Sequence, residues 1–292
     1  MDTGNSGIIR IGPAGWSYPD WNGIVYPRGM PKSRHPLSLL SEWYDTVEVN
    51  SSFYRLPDPN HAVAWINQTS ANPRFLFTVK LWQGFTHEKE WPGDAAVRAY
   101  ASGVLPFLDA GRLGAVLVQF PWSFRRTPET RKRLAQIVAA FRELPLAVEV
   151  RHRSWDVPEF YASLNDLGIA FCNIDQPVLH DCIAPSEKVT ARFAYARLHG
   201  RNAEHWFRAE SGRNDRYNYL YKGAELDEWV EKIRNMKKQV NDLFMITNNH
   251  YRGQAVVNAI EMQSALGILR QHPAPWMAEH YAQLRECRPS GA

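Results

Sequence analysis

The chain of 292 residues lacks the features that mark several protein classes. Its three cysteines, Cys172, Cys182 and Cys287, are odd in number and lack the CxxC pairing of a zinc site, so we expect reduced thiols. No apolar run approaches the ~20 residues that cross a bilayer, and residues 1–10 lack the cationic and apolar regions of a signal peptide. We therefore predict a cytoplasmic protein with no membrane partner.

Common phosphate and acyl-transfer motifs are also missing. The patterns GxGxxG, GxxxxGK[ST] and GxSxG do not occur, which argues against nucleotide-cofactor enzymes and hydrolases of those classes. The 34 Lys and Arg residues exceed the 30 Asp and Glu residues by only four, and the two signs are mixed along the chain. This balance permits a polyanionic partner without indicating one.

The sequence does contain a repeated pattern of a short apolar run, a polar end and an amphipathic segment. The runs occupy residues 8–11, 46–50, 75–81, 115–120, 146–151, 169–175, 193–199 and 244–249. Eight such units predict an α/β fold, a (β/α)8 TIM-like barrel of parallel strands with its site at the C-terminal strand ends. We expect residues 1–7 to be a flexible terminus, residues 8–271 to form a single barrel domain and residues 272–292 to be a polar tail.

The intervening segments have helical periodicity and recognisable ends. Thr127 is a suitable N-cap before Pro128, and Leu134, Ile137 and Phe141 follow the spacing of one buried stripe. Similar stripes predict helices over residues 225–239 and 253–269. Two connections, residues 16–35 and 200–222, are longer than the others and follow strands one and seven, so we expect both to border the site.

Polar residues concentrate where the predicted strands end. Because side chains alternate between the two faces of a strand, residues two apart share a face. The pairs of this kind are Glu48 with Asn50, Thr78 with Lys80, Glu149 with Arg151, Asn173 with Asp175, and Arg197 with His199. Gln119 ends strand four, and Asn248 or Asn249 ends strand eight. Burial beneath apolar helices would desolvate these groups, so we predict that they face the barrel interior.

Such a cluster of charges suits an anionic substrate. Arg151 and Arg197 can bind carboxylate or phosphate in a bidentate manner. Glu48 or Glu149 is a candidate general base, His199 a candidate acid and Asp175 a third carboxylate, while the side-chain amides would orient substrate hydroxyls or a carbonyl. The alternative is a buried salt-bridge lattice that holds the barrel closed.

Histidines, which are common metal ligands, also lie near the strand ends. His87, His152, His199 and His250 are residues of the type that binds Zn²⁺ or Mn²⁺ together with a carboxylate. However, no HExxH pair or comparable spacing occurs, and the neighbouring Lys and Arg side chains oppose a further positive centre. We predict no cofactor and regard a divalent metal as disfavoured.

Seven ordered motifs extend over most of the chain, from about residue 9 to residue 259. They are IGPAGWSYPDW, VEVNSSFYRLP, FTVK with FTHE, VLVQFPWSF, VEVRHRSW, YARLHGR and TNNHYRGQAVVNA. This set resembles the YecE-like proteins, domain of unknown function 72, and the resemblance implies a TIM barrel without supplying a reaction. The residues that its motifs single out are Trp16, Glu48, Asn50, Tyr54, Lys80, His87, Gln119, Glu149, Arg151, His152, Asp175, Arg197, His199, Asn249 and Tyr251.

These observations favour an enzyme, with a hydrolase as the preferred class. It would act on an anionic, phosphate-bearing substrate by Glu/His acid–base chemistry, with phosphodiester hydrolysis as one reaction of this kind. One alternative is a non-catalytic nucleic-acid-binding protein that uses the Arg and aromatic residues of the two long loops. Another is a glycoside hydrolase with Glu48 and Glu149 as its carboxylate pair. The sequence does not indicate an oligomeric state.

Overall fold

The computed structural model describes residues 7–206, 208 and 213–291, and it confirms the predicted (β/α)8 architecture. Each of the eight predicted runs forms a strand, shifted by one or two residues at most ends. The strands are β1 (Ile9–Pro13), β2 (Thr46–Val49), β3 (Leu76–Lys80), β4 (Leu113–Gln119), β5 (Leu146–Glu149), β6 (Ala170–Asp175), β7 (Phe193–Leu198) and β8 (Asp242–Thr247).

The strands form one parallel sheet that curves into a nearly closed barrel. Its order is β1-β8-β7-β6-β5-β4-β3-β2, so the seam lies between β1 and β2. A parallel bridge between Ala14 and Glu48 crosses this seam, where the Gly15 amide donates to the Glu48 carbonyl at 2.8 Å. A Cβ at Gly12 would lie 2.0 Å from the Thr46 carbonyl oxygen, so this close approach of the two strands requires glycine.

Helices cover the outside of the barrel. The α-helices are α1 (Pro36–Trp43), α2 (Ser51–Tyr54), α3 (Pro59–Gln68), α4 (Gln83–Thr86), α5 (Asp94–Asp109), α6 (Pro128–Phe141), α7 (Pro158–Asp166), α8 (Ala203–Trp206), α9 (Arg213–Arg216), α10 (Ala224–Lys237), α11 (Gln254–Ala265) and α12 (Pro275–His280). Short 3-10 turns occupy Pro19–Trp21, Arg153–Trp155, Tyr251–Gly253 and Ala282–Glu286. No helix in the described part of the chain is both long and apolar enough to span a membrane.

The helix boundaries have the expected local causes. At α6, Thr127 accepts from the Thr130 amide and Thr130 accepts from the Thr127 amide, and Pro128 occupies the first helical position. On α10 the predicted stripe of Leu226, Trp229 and Ile233 is buried against the sheet. Packing of these apolar faces on the outer face of the strands forms much of the hydrophobic core, and inward-facing apolar residues such as Leu117 and Ile246 belong to it as well.

Part of the segment 272–291 packs against the barrel. Met277, Leu284 and Cys287 are buried in the main core, and the Trp276 indole donates to the Val25 carbonyl at 3.2 Å. The three cysteines are free thiols, and all are buried. The domain boundaries remain a prediction, but the packing extends beyond the predicted end at residue 271.

Candidate functional site

Three buried ionised side chains cross the barrel interior near the C-terminal strand ends. The Arg197 guanidinium donates to Glu48 Oε1 at 2.7 Å and to Glu149 Oε2 at 2.6 Å, and all three side chains are fully buried. Gln119 Oε1 also accepts from Arg197, at 3.1 Å. The Tyr195 hydroxyl lies 3.0 Å from Glu48 Oε2. This arrangement links β2, β4, β5 and β7, as the predicted inward parity requires.

Glu149 is the centre of a second set of contacts nearer the opening. Its Oε1 accepts from Arg151 Nε at 2.8 Å and lies 3.2 Å from His199 Nε2. The Asn248 amide nitrogen lies 3.0 Å from His199 Nδ1. A carboxylate needs a donor and an amide nitrogen needs an acceptor, so this pattern assigns the proton of neutral His199 to Nε2.

The electrostatic environment makes these groups unlike free side chains. Burial would raise the pKa of Glu149, but Arg197 and Arg151 outweigh burial and hold that pKa well below its usual range. Burial, together with the charges of Arg151 and Arg197, lowers the pKa of His199 to about 3 even though Glu149 opposes the shift. Glu149 is therefore ionised and His199 neutral at pH 7.

Lys80 lies beside this network without joining it. Its side chain extends from the end of β3, and the residue is only 8% exposed. The Nζ atom lies 4.2 Å from the centre of the Phe53 ring, a cation–π contact. Burial and the charge of Arg197 lower the pKa of Lys80 to about 7. The neutral amine and the ammonium are therefore both populated here at neutral pH.

Aromatic side chains flank the two cations near the opening. The Arg151 guanidinium lies 5.7 Å from the Trp206 ring centre, and the Arg151 side chain is 12% exposed. On the other side a cavity of about 310 Å³ is lined by Trp16, Asn50, Tyr54 and neighbouring residues. Tyr54 is 57% exposed, and its ring packs edge-on against Phe53 at 5.2 Å. The cavity therefore adjoins the ring beneath Lys80.

Two predicted site residues face away from the barrel interior. Asp175 accepts from Arg201 Nη2 at 2.6 Å, from Trp229 Nε1 at 2.5 Å and from the Tyr221 hydroxyl at 3.0 Å. Trp229 belongs to α10, so the inward placement of Asp175 is wrong. The reason is that Arg201, Tyr221 and Trp229 supply the partners that make burial on the outer face acceptable.

Asn249 is the second outward residue, because its amide donates to the Tyr219 carbonyl and to Asn258 of α11, both at 2.8 Å. Its predicted role in orienting substrate is therefore not supported by its position, whereas Asn248 points to His199. His152, 5% exposed, lies 5.3 Å from the Trp122 ring and bonds to Ser154. It belongs to the turn after β5 and not to the charged network.

The last two predicted residues lie at the periphery. His87 is exposed, with Nδ1 2.8 Å from the Thr86 hydroxyl and its ring 4.9 Å from the Phe53 ring. It therefore borders the Lys80 side of the opening. Tyr251 is partly exposed in the 3-10 turn after β8, and no hydrogen bond joins it to the network among the residues the structure describes.

The sequence prediction missed three residues that belong to the network. Tyr195 contacts Glu48, the Cys172 thiol lies 3.9 Å from Glu149 Oε2, and Phe53 lies beneath Lys80. Tyr195 had a usable signal, since it lies two residues before Arg197 and so shares its face. Cys172 is inward because the pairing of Ile174 with Arg197 fixes the register of β6. Phe53 gave no comparable signal.

Metal ligands are not grouped in the described ranges. No three His, Cys, Asp or Glu side chains there approach one another closely enough to form a candidate metal site. The basic groups around Glu149 explain its environment without a further cation.

Similar proteins share both the sequence and the fold. A family model described as Protein of unknown function DUF72 matches residues 10–280. The UPF0759 protein YunF of Bacillus subtilis (strain 168) is 30% identical over 284 residues, which cover 92% of this chain and 98% of that protein. The UPF0759 protein YecE of Escherichia coli (strain K12) is 30% identical over 162 residues, 53% of this chain and 51% of that protein.

Two crystal structures of DUF72 family proteins superpose on the chain. The Thermotoga maritima MSB8 protein has a TM-score of 0.78 at 32% identity and covers 89% of this chain and 99% of its own. The Enterococcus faecalis V583 protein has a TM-score of 0.79 at 26% identity and covers 92% and 98%. These structures share the barrel described above, and the family match covers most of the chain. The chain therefore belongs to the DUF72 family.

Proposed function

We propose that this protein is an enzyme that acts on an anionic, phosphate-bearing substrate at the C-terminal end of its barrel. The observation that carries the proposal is the distribution of charge in the network. Glu48 and Glu149 are fully buried and paired with Arg197, whereas Arg151 and Lys80 lie toward the opening and keep slight exposure. Two arginines thus face two carboxylates, and the Arg151 guanidinium and the Lys80 amine are the basic groups nearest the opening, where an anionic substrate would bind.

His199 and Glu149 supply the acid–base pair in this proposal. Ionised Glu149 holds the tautomer of His199, so Nδ1 is the basic nitrogen, and Asn248 covers it at 3.0 Å. An anion bound to Arg151 would offset part of the positive field that lowers the pKa of His199. Substrate binding would therefore raise the pKa of His199, while burial, the largest cause of its low value, would persist. Phosphodiester hydrolysis fits because Arg151 and Lys80 can offset charge that develops on phosphate oxygens.

The glycoside hydrolase alternative fits the geometry poorly. A sugar and its attacking water must lie between the two carboxyl groups. Here the Arg197 guanidinium lies between Glu48 and Glu149 and bonds to both. A substrate would have to displace a fully buried cation to reach them, so we favour the anion-binding proposal.

Burial of several loop aromatics weighs against the nucleic-acid alternative. In the first long loop Trp16, Trp21 and Tyr26 are all at most 8% exposed, and the Trp21 indole donates to the His250 carbonyl at 2.8 Å. In the described part of the second, Trp206 and Tyr221 are also buried. Rings that secure loops in this way are not available to stack on successive bases.

Substitution of Arg151 tests the proposal, and Arg153 provides a matched control. Arg153 lies two residues along the chain and is exposed. Arg151→Ala should weaken binding of inorganic phosphate and of bis(p-nitrophenyl) phosphate, measured by calorimetry, by about tenfold or more, since a hydrogen bond to a charged group contributes about 1.5–3 kcal/mol. Arg153→Ala should leave binding nearly unchanged. Equal affinities of the two variants, or no binding to the parent chain, would contradict the proposal.

A further inference from the structure

Lys80 is a buried amine at the mouth of the barrel for which the charged network offers no structural role. We infer that Lys80 is a nucleophile that forms an imine with the carbonyl carbon of an aldehyde or ketone that carries an anionic group. This inference rests on the anion site of the proposed function. It goes beyond hydrolysis, because it replaces water by a side-chain amine as the attacking group for one class of electrophile.

The contacts of Lys80 separate it from the other two cations. Arg197 and Arg151 each donate to a carboxylate, whereas the Lys80 ammonium makes no hydrogen bond or ion pair with any residue that the structure describes. It lies instead over the face of Phe53, at 4.2 Å from the ring centre. A lysine that served only to balance charge would be expected to contact Glu48 or Glu149 directly. The nitrogen of Lys80 is therefore available to a ligand.

The backbone of Lys80 is held firmly, so the amine has a defined position. Its carbonyl accepts from the Ser52 hydroxyl at 2.8 Å and from the Tyr100 hydroxyl at 3.1 Å, and both donors are buried. The residue pairs in register with Leu117 of β4. Side chains at the C-terminal strand ends of such barrels face the substrate. Lys80 thus has the fixed placement that a covalent catalyst needs.

The surroundings also favour the reactive form of the amine. Burial and Arg197 lower the pKa of Lys80 to about 7, so the neutral amine is abundant at physiological pH. The amine nitrogen attacks the carbonyl carbon and forms a C–N bond, which gives a carbinolamine. Loss of the former carbonyl oxygen as water, with the two hydrogens of the amine, then gives the imine. No electrons are gained or lost overall, so the step requires no oxidant or reductant.

Arg151 would select among carbonyl compounds. It lies toward the same opening, beside Trp206, and its charge influences the pKa of Lys80. A phosphate or carboxylate held by Arg151 would bring a nearby carbonyl to Lys80 and raise its effective concentration. We therefore expect glyceraldehyde 3-phosphate to react faster than glyceraldehyde.

Reductive trapping tests the inference within one molecule. The parent chain is incubated with glyceraldehyde 3-phosphate or glyceraldehyde and sodium cyanoborohydride, and the modified lysines are identified by peptide mass spectrometry. At pH 7 Lys80 should be labelled about tenfold or more faster than Lys132, an exposed lysine of α6, because burial and the charge of Arg197 favour the neutral amine of Lys80. The labelling rate of Lys80 should rise around pH 7, where the folded chain releases its proton. Labelling of Lys80 no faster than of Lys132 would overturn the inference.

Variants separate this inference from the proposed function. Lys80→Arg keeps the charge but cannot form an imine, so the label should be lost from position 80, while Lys132→Arg should leave labelling of Lys80 unchanged. If neither aldehyde labels Lys80, although phosphate binding depends on Arg151, the imine inference is wrong and the anion site is retained. Rapid labelling of Lys80 by both aldehydes at equal rates, without phosphate binding, would support the nucleophile and contradict the anion site.

Discussion

Lys80 shows how position alone can change the chemistry of a common side chain. An exposed lysine stays protonated at pH 7, whereas burial beside Arg197 brings the pKa of Lys80 to about 7. The sequence placed Lys80 on the inner face of its strand, and the structure agrees. It gave no indication that Glu48 and Glu149 would both pair with Arg197 and leave the lysine apart. That outcome depends on distances across the barrel, which strand parity does not supply.

Lys80 should make stability depend on pH in a characteristic direction. The unfolded chain releases this proton near pH 10.5 and the folded chain near pH 7, so between these values the unfolded state binds more protons and stability rises with pH. Lys80→Met removes the group. The free energy of unfolding of Lys80→Met minus that of the parent chain should decrease by about 1 kcal/mol per pH unit above pH 7. Urea unfolding from pH 6 to pH 10 measures this gap, with Lys132→Met as control. A gap that is constant over this range would contradict the shift.

Strand β6 shows where element-level reasoning from sequence failed. Parity grouped Asn173 with Asp175 correctly, but it did not say which face of the strand points inward. The cost of desolvating a carboxylate favoured the barrel interior for Asp175. On the outer face, however, Trp229 of α10 and Arg201 of the loop after β7 donate hydrogen bonds to it. On β8 the sequence did not say whether Asn248 or Asn249 faces the barrel interior. Ile246 pairs in register with Arg197, so Asn248, two residues further along, is the inward residue. Register between strands therefore carries the information that single strands lack.

Asp175 should be important for stability and not for anion binding. Asp175→Asn leaves the Arg201 guanidinium and the Trp229 indole without their anionic acceptor, and breaking a buried pair of this kind costs about 3 kcal/mol. Phosphate affinity of the folded variant should stay close to that of the parent chain, since the network around Glu149 is separate. Denaturant unfolding and calorimetry measure the two effects. Asp166→Asn, at an exposed carboxyl at the end of α7, should change neither the free energy of unfolding nor the phosphate affinity. A large loss of phosphate affinity in Asp175→Asn would contradict this prediction and would show that Asp175 contributes to anion binding.

The whole barrel was predictable because its signal repeats. Eight apolar runs with polar ends and intervening amphipathic segments leave few alternatives to parallel β/α units. The seam between β1 and β2 was not predictable, because it depends on one bridge and on the close approach at Gly12. The packing of residues within 272–291 was also not predicted, since Met277, Leu284 and Cys287 are too few and too scattered to form a periodic stripe.

Buried neutral His199 should make the molecule sensitive to mild acid. The unfolded chain protonates this side chain near pH 6.5 and the folded chain only near pH 3, so stability falls as pH decreases between these values. Glu149 acts in the same direction only below about pH 4.5, because its folded pKa lies well below that value. Between pH 6.5 and pH 4.5, His199→Gln should therefore flatten the dependence of unfolding free energy on pH by about 1 kcal/mol per unit. Urea unfolding at pH 6.5, 5.5 and 4.5 measures the slope. His61→Gln, at an exposed histidine of α3, is the control, and equal slopes in the two variants would show that His199 does not titrate as a buried neutral group.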